Sequence, residues 1–180
     1  QPSPTSQSYI GERCKYYIFS SKTPTILGLG QATSFCMEQE ISKSLPTISV
    51  VTPSFNAGKI LDKCLRIVRE QNYPQEKIEI ILGDGGSTDN TFEIAKKYDA
   101  QIVHIPPEKQ HAEYNRGVAY NKARGEFVLT LDSDNFLPYR NWLKRMIKPL
   151  LENPEMVATN TCYYNYSKKY VLMDRYFALF

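Results

Sequence analysis

Long apolar runs, paired cysteines and a strong excess of one charge are all missing from the 180-residue sequence. Because no stretch of about 18 apolar residues occurs, we expect no membrane-spanning helix. The 22 basic residues barely outnumber the 19 acidic ones and do not cluster, so a nucleic-acid partner is not expected. Residues 1–8 contain neither a basic residue nor an apolar stretch, so we do not expect them to act as a secretion signal.

Cysteine and histidine are too sparsely placed to predict a structural metal site. The four cysteines contain no Cys-x-x-Cys pair, and His104 and His111 lie far from all of them in sequence. We therefore predict neither a zinc site nor a disulfide framework, and we interpret both histidines as structural or loop residues. Cys64 falls on an apolar helical stripe, which predicts a core position. Reduced cysteines favour a cytoplasmic location, and a position at the cytoplasmic face of a membrane stays open.

The sequence divides near residue 45. Residues 1–45 are irregular and rich in proline and serine, apart from a short strand predicted at 16–19. We interpret them as an N-terminal extension or as the remnant of an upstream domain. Residues 46–180 alternate apolar segments with polar turns, and 42% hydrophobic content in the chain is enough for a sizeable core.

Strands and helices are predicted to alternate through residues 46–180. Five strands are predicted to begin near residues 47, 78, 101, 126 and 156. Apolar stripes and strand spacing predict helices at 60–68, 92–98, 111–123 and 142–150. Pro53 is expected to stop the first strand, and Pro149 to end or bend the last helix. The predicted fold class is therefore an open, mostly parallel, Rossmann-like α/β sheet with helices on both faces.

Polar and acidic groups follow three of the predicted strands. They occupy residues 52–56, 84–89 and 132–135. Since open α/β sheets bind ligands beyond the carboxyl ends of their strands, we expect these groups to meet at one edge. Carboxylates gathered there repel each other, which favours a cationic or hydrogen-bonding ligand.

Asp132 and Asp134 are the candidate metal ligands. Alternate residues of an extended segment can point to one side, and two oxygen ligands suit a hard cation such as Mg²⁺ or Mn²⁺. Two carboxylates alone hold such an ion weakly, so phosphate oxygens of a substrate are expected to complete its shell. Asp84 follows a parallel strand as a ribose-binding acid does, and Gly85 allows ligand and backbone to approach closely.

Three blocks within residues 48–135 resemble the family 2 glycosyltransferases, which have the GT-A fold. The blocks are residues 50–56, 84–91 and 125–134, and their order and spacing match as well as their content. The resemblance implies transfer of a sugar from a nucleoside-diphosphate sugar to an acceptor hydroxyl, with inversion at the anomeric carbon. It also implies a divalent cation that stabilises charge on the departing diphosphate.

Individual site residues follow from the same resemblance. The implied donor-binding set is Pro53, Asn56, Asp84, Gly85 and Asp132. Pro53 and Asn56 would line the pocket for base and ribose, and Asp84 would contact the nucleoside. Asp134 would hold Mg²⁺ or Mn²⁺ against the diphosphate, together with Asp132.

The acceptor side of such an enzyme is expected beyond Phe180, together with the general base. We therefore interpret the 180 residues as the donor-binding part of a longer polypeptide, with a sugar, lipid-linked or protein acceptor. Asp174 is interpreted as a solvated helix residue rather than the base. Seven aromatic residues near the C-terminus are interpreted as packing against further chain, with peripheral membrane contact as the alternative.

Two departures from the family pattern affect the site. Many members have two acids where this sequence has Asp84-Gly85. The arginine of the usual Ala-Arg-Asn-x-Gly block is displaced by two positions to Arg116, so no phosphate role is assigned to it. Two alternatives stay open: a binding-only or inactive module that lacks the general base, and a nucleotidyltransferase. The second would need a glycine- and lysine-bearing phosphate loop, and residues 54–59 contain a single glycine.

Overall fold

The structure, a computed structural model, describes residues 17–20 and 45–160, which form a six-stranded sheet with four α-helices. The strands are β1 (Tyr17–Ser20), β2 (Ile48–Ser54), β3 (Ile78–Asp84), β4 (Ala100–His104), β5 (Phe127–Thr130) and β6 (Ala158–Asn160). The helices are α1 (Gly58–Arg69), α2 (Thr91–Lys97), α3 (Ala112–Tyr120) and α4 (Trp142–Glu152). Short 3₁₀ helices occupy Gln75–Lys77 and Pro107–Lys109.

Four neighbouring strands of the sheet run parallel. The strand order is β4-β3-β2-β5-β1-β6, and β1 lies antiparallel between β5 and β6. This arrangement confirms the predicted open, mostly parallel α/β sheet. It also confirms the strand predicted at 16–19, which is β1. A short part of residues 1–45 therefore belongs to the sheet, while the division of the chain near residue 45 stays a prediction.

Helices cover both faces of the sheet, as predicted. On one face, Leu61, Cys64 and Leu65 of α1 pack with apolar residues of α2 and α4. On the other face, Ala119 of α3 packs against Val51 of β2. Burying a leucine or isoleucine side chain contributes on the order of 2 kcal/mol, so these two apolar layers fix the helices on the sheet. Cys64 is 1% exposed, which confirms its predicted core position.

The prediction that Pro53 stops the first strand is wrong, because β2 continues to Ser54. Along a strand, the N–H and C=O groups of successive residues point alternately to the neighbouring strand on one side and to the strand on the other side. Val51 is the last residue of β2 that pairs with β5. Pro53 faces the same neighbour two residues later, where β5 has ended, so its missing N–H interrupts no ladder bond.

Pro149 does not end the last helix either, since α4 continues to Glu152. The proline removes one backbone donor, but its own carbonyl still accepts a hydrogen bond from the Asn153 N–H at 3.0 Å. The last turn of α4 is therefore retained.

The two histidines have structural positions, as interpreted from the sequence. The His104 ring lies 5.3 Å from the Phe92 ring, between centroids. His111 caps α3, because its Nδ1 accepts a hydrogen bond from the Glu113 N–H at 3.3 Å. This cap places the helix start one residue later than predicted, and α3 ends at Tyr120 rather than near 123.

Several predictions concern residues outside those that the structure describes. They include Asp174, the aromatic residues of 161–180 and three cysteines, Cys14, Cys36 and Cys162. Within residues 17–20 and 45–160, no helix combines the length and the apolar content needed to cross a bilayer.

Candidate functional site

The carboxyl ends of β2 and β5 and the start of α3 line a cavity of about 330 Å³. It lies at the edge where parallel α/β sheets bind their ligands. Its walls are formed by β2 and the loop after it, by α3 and Gln110 just before it, and by the loop after β5. The lining residues are Pro53, Ser54, Phe55, Gln110, Ala112, Glu113, Asn115, Arg116, Asp132, Ser133 and Asp134.

The acidic loop, residues 132–135, carries both predicted metal ligands. The Asn135 N–H donates to the Asp132 carbonyl at 3.0 Å and closes a tight turn, and both Asp132 and Asp134 line the cavity. Under the loop, the Cys64 thiol donates to the same carbonyl at 3.8 Å. Burial, together with the negative charges of Asp134 and Asp132, raises the pKa of Cys64 to about 12. Cys64 is therefore a neutral thiol at physiological pH.

Arg116 is the cation of the cavity wall, although the sequence assigned it no role. Its Nη2 donates to Asp132 Oδ1 at 2.6 Å, and its Nη1 donates to Glu113 Oε2 at 2.5 Å. Burial acts to lower the pKa of Arg116, but the hydrogen bonds to Asp132 and Glu113 outweigh it and raise the pKa. The guanidinium therefore stays charged, and it neutralises part of the acidic loop.

Close packing of α3 on the sheet brings Arg116 to this position. A Cβ atom on Gly83 would lie 2.3 Å from the Asn115 carbonyl oxygen, so only glycine lets the helix approach β3 this closely. The Asn115 Nδ2 also donates to the Ser54 carbonyl at 3.3 Å. These two contacts hold α3 against the ends of β2 and β3.

Three buried polar atoms of the cavity lining have no hydrogen-bond partner among the residues that the structure describes. They are Ser54 Oγ, Asn115 Oδ1 and Arg116 Nε. A buried polar group without a partner costs on the order of 1–3 kcal/mol. All three residues also line the cavity, so a small movement of their side chains would offer these atoms to a polar ligand there.

Two loops at this edge, residues 54–58 and 84–91, are joined by hydrogen bonds, and we call the pair the loop clasp. Its central residue is Asn56, which has a left-handed φ of 48°. The Asn56 N–H donates to Ser87 Oγ at 2.8 Å, and its Oδ1 accepts a hydrogen bond from the Thr88 N–H at 2.8 Å. The loops after β2 and β3 are therefore joined by side-chain hydrogen bonds.

Asp84 is fully buried at the base of the loop clasp. Its Oδ2 accepts hydrogen bonds from the N–H groups of Gly86 at 2.9 Å and Ser87 at 2.8 Å, and its Oδ1 accepts from Ser87 Oγ at 2.5 Å. The Gly85 N–H donates to the Ser54 carbonyl at 3.0 Å. The Asp84 carboxylate therefore holds its own turn together.

The predicted site residues fall into two groups. Those that line the cavity are Pro53, Asp132 and Asp134. Those that lie in the loop clasp beside it are Asn56, Asp84 and Gly85. Contact of Asp84 with a nucleoside stays a prediction, and the burial of its carboxylate does not favour it.

Eight residues of the lining are absent from the predicted site set: Ser54, Phe55, Gln110, Ala112, Glu113, Asn115, Arg116 and Ser133. Phe55 is the first residue after β2, and its position at a strand end was a signal that it could line the site. Gln110 had no such signal. A Cβ atom on Gly85 would lie 2.1 Å from Gln110 Cγ, so Gln110 fills the space that a side chain at position 85 would need.

The acidic loop fits a divalent cation that is shared with a phosphate group. Among residues 17–20 and 45–160, no three His, Cys, Asp or Glu side chains are grouped to hold a metal by themselves. Asp132 and Asp134 share one cavity, and one or two carboxylates are the usual protein contribution to a Mg²⁺ site that substrate phosphates complete. The guanidinium of Arg116, which lines the same cavity, is a suitable phosphate-binding group beside them.

A mostly parallel α/β sheet with a polar cavity at its carboxyl edge places the protein in the open α/β class, whose members bind ligands at that edge. The family model for glycosyl transferase family 2 matches residues 49–177, which is more than half of the chain. The chain therefore belongs to glycosyl transferase family 2, and its family resemblance is confirmed.

Curated relatives agree with this assignment. The glycosyltransferase AglE of Haloferax volcanii is 32% identical over 61% of this chain, and GlyG of Streptococcus pneumoniae is 35% identical over 67%. The matched regions cover 37% of AglE and 40% of GlyG. The chain thus spans less than half the length of these relatives.

Solved structures share the fold. Staphylococcus aureus TarS matches with a TM-score of 0.55 and 29% identity, over 59% of this chain and 20% of TarS. The mannosyltransferase PcManGT of Pyrobaculum calidifontis, in complex with GDP-Man and Mn²⁺, matches with a TM-score of 0.53 and 25% identity, over 59% of this chain and 33% of PcManGT. The GT-A-like fold is therefore confirmed.

Proposed function

We propose that this protein is a glycosyltransferase that binds a nucleoside-diphosphate sugar and transfers the sugar to an acceptor hydroxyl, with inversion. The observation that carries the proposal is the joint lining of one cavity by Asp132, Asp134 and Arg116 at the carboxyl edge of the sheet. Such a cavity offers metal-binding carboxylates and a phosphate-binding guanidinium together. Family membership favours this function over nucleotidyl transfer.

Asp132 and Asp134 would hold Mg²⁺ or Mn²⁺ against the diphosphate in the cavity. When bound, the cation would stabilise the negative charge that develops on the departing diphosphate. The PcManGT complex contains Mn²⁺ together with GDP-Man, which supports a divalent cation beside a nucleotide sugar. The complexes of TarS with UDP and with UDP-GlcNAc support a nucleotide-sugar donor.

The nucleoside would lie against Pro53, Phe55 and Gln110, which line the same cavity. Phe55 is 49% exposed, although a large apolar side chain is usually buried. An exposed ring beside a polar cavity is suited to packing against a base or a ribose.

The acceptor class and the location of the protein are proposed from the names of its relatives. Names of relatives point to polysaccharide or glycoconjugate synthesis: TarS is a poly(ribitol-phosphate) beta-N-acetylglucosaminyltransferase, and TuaG of Bacillus subtilis is a putative teichuronic acid biosynthesis glycosyltransferase. We propose a sugar, lipid-linked or protein acceptor that is reached at the cytoplasmic face of a membrane.

A non-catalytic nucleotide-sugar-binding module is the second candidate. The third acid of the cavity, Glu113, is paired with Arg116, and the other two acids are the proposed metal ligands. The described residues therefore leave no cavity carboxylate unassigned to act as the general base. Turnover by the full-length polypeptide, including any residues beyond Phe180, separates the two candidates. Release of UDP from UDP-sugars supports the transferase, and binding without any release supports the module.

The proposed function is tested by thermal unfolding with UDP or GDP, with and without Mn²⁺. A ligand at 100 times its dissociation constant stabilises the native state by about 2.7 kcal/mol, which raises the melting temperature by several degrees. We expect Asp134→Asn to abolish the part of this shift that depends on Mn²⁺. Glu155→Gln, an exposed acid beyond α4, is the matched control and should shift like the wild type. No shift with either nucleotide would contradict the proposal.

A further inference from the structure

We propose that Arg116 is an exchangeable counter-ion, which binds Asp132 in the donor-free protein and turns to the diphosphate when the donor binds. The exchange couples metal binding to donor binding, because the donor frees the carboxylate that the metal uses. The inference rests on the proposed function, since its ligands are a nucleoside diphosphate and a divalent cation.

Arg116 competes with a metal ion for the acidic loop. Its Nη2 lies 2.6 Å from Asp132 Oδ1, and the two side chains are only 16% and 23% exposed. A dication that approaches Asp132 therefore meets both an occupied oxygen and a nearby positive charge in a partly desolvated place. We expect the metal alone to bind weakly as long as the guanidinium stays there.

The guanidinium keeps one hydrogen-bond donor unused beside the cavity. Its Nε is buried and has no hydrogen-bond partner among the described residues, although Arg116 lines the cavity. Arginine binds phosphate oxygens through two parallel hydrogen bonds, which a single contact to Asp132 does not use. A diphosphate beside the acidic loop would therefore gain more from Arg116 than Asp132 does.

Glu113 tethers the side chain without locking it. Its carboxylate accepts a hydrogen bond from Arg116 Nη1 at 2.5 Å, but the Glu113 side chain is 69% exposed. Ion pairs with an exposed partner contribute little to stability. Glu113 can therefore keep the guanidinium beside the cavity and still permit rotation of the Arg116 side chain. Arg116 and Glu113 are one helical turn apart on α3, which keeps the pair together in either position.

The exchange predicts two effects of opposite sign for Arg116→Gln. Without nucleotide, the variant should bind Mn²⁺ about tenfold more tightly than the wild type, because the competing charge is gone. Without metal, in EDTA, it should bind UDP about tenfold more weakly, because a phosphate donor is gone. A purely structural ion pair would also give the gain in Mn²⁺ affinity, but it would leave UDP binding in EDTA unchanged, so the pairing of the two effects identifies the exchange.

Binding of Mn²⁺ is measured by the loss of the free-ion signal in electron paramagnetic resonance, and binding of UDP by titration calorimetry. Linkage requires UDP to tighten Mn²⁺ binding by the same factor by which Mn²⁺ tightens UDP binding. We expect this factor to be larger in the wild type than in Arg116→Gln. Arg124→Gln removes the same charge from an exposed residue outside the cavity lining, and it should leave both affinities unchanged.

Arg116→Lys keeps the positive charge but removes the planar pair of N–H donors of the guanidinium. It is the second variant if Arg116→Gln does not fold. It should lower the coupling factor about threefold, because a single ammonium cannot make the paired phosphate contact. Mn²⁺ affinity that is unchanged or weaker in Arg116→Gln, or coupling that is unchanged in Arg116→Lys, overturns the exchange alone. Failure of the wild type to bind UDP at all overturns the proposed function and the exchange with it.

Discussion

The loop clasp and the acidic loop lie at the same edge of the sheet, but they use polar side chains in opposite ways. In the loop clasp, Asp84 and Asn56 accept hydrogen bonds from N–H groups of the protein itself. On the wall that faces the acidic loop, Asn115 Oδ1 and Arg116 Nε are buried with no partner among the described residues. The acceptor atoms of Asp84 and Asn56 are satisfied inside the protein, whereas Asn115 Oδ1 and Arg116 Nε keep their hydrogen-bonding capacity unused.

This contrast separates residues that shape the site from residues that bind. A polar atom that is already satisfied inside the protein gains little from a ligand, whereas an unsatisfied one gains a whole hydrogen bond. Substitutions in the loop clasp should therefore lower stability first. Substitutions around the acidic loop should lower ligand binding first.

Asp84→Ala should have the largest effect on stability. The change removes a fully buried acceptor and leaves the N–H groups of Gly86 and Ser87 without their partner. We expect the free energy of unfolding to fall by about 3 kcal/mol, measured by urea denaturation. Glu70→Ala is the control, because Glu70 forms an exposed ion pair with Arg66 at 3.7 Å and should matter far less.

Asp84→Ala could also break the comparison. If the variant unfolds like the wild type and has lost UDP binding, the carboxylate is a ligand of the nucleoside and not a support of the turn. The sequence-based role of Asp84 would then be correct, and the loop clasp would belong to the binding surface.

Asp89→Ala should have a smaller effect that depends on pH. Asp89 Oδ2 accepts a hydrogen bond from the Gly58 N–H at 2.9 Å, and Oδ1 accepts from Thr91 Oγ1 at 2.5 Å, so one carboxylate supports the starts of α1 and α2. Loss of such a cap costs about 1 kcal/mol at neutral pH. Stability measured by urea denaturation at a series of pH values checks this figure.

The direction of the pH dependence follows from the same contacts. The hydrogen bond from Thr91, followed by those from backbone N–H groups, lowers the pKa of Asp89. A lowered pKa in the folded state stabilises the protein above about pH 4 and stops doing so as the pH falls through the folded-state value. The difference between wild type and Asp89→Ala should therefore shrink below pH 4. A difference that grows in acid would show that the carboxylate is not the stabilising form.

Gln110→Ala should have the smallest effect, and it tests the proposed contact between Gln110 and the nucleoside. We expect UDP to bind about fivefold more weakly, which corresponds to one net hydrogen bond of about 1 kcal/mol. Binding of inorganic pyrophosphate with Mn²⁺ should stay unchanged, because pyrophosphate has no base. Gln101→Ala, at an exposed position of β4, is the control. An equal loss for UDP and pyrophosphate would place Gln110 at the diphosphate instead.

The sequence by itself determined the fold class and the acidic part of the site. Apolar periodicity and strand-end polarity are local signals, and the strand-end rule carries them to one edge of the sheet. Those signals were enough to predict the alternation of strands and helices and the shared position of Asp132 and Asp134, which line one cavity.

Only the tertiary structure decided which polar residues are closed and which are open. That Asp84 is buried, that β2 continues through Pro53, and that Arg116 reaches Asp132 all depend on neighbours far away in sequence. The insertion of β1 between β5 and β6 is likewise a matter of pairing between distant segments. A local sequence pattern does not predict such contacts, because a buried polar or charged group pairs with residues that are close in the folded structure and distant in sequence.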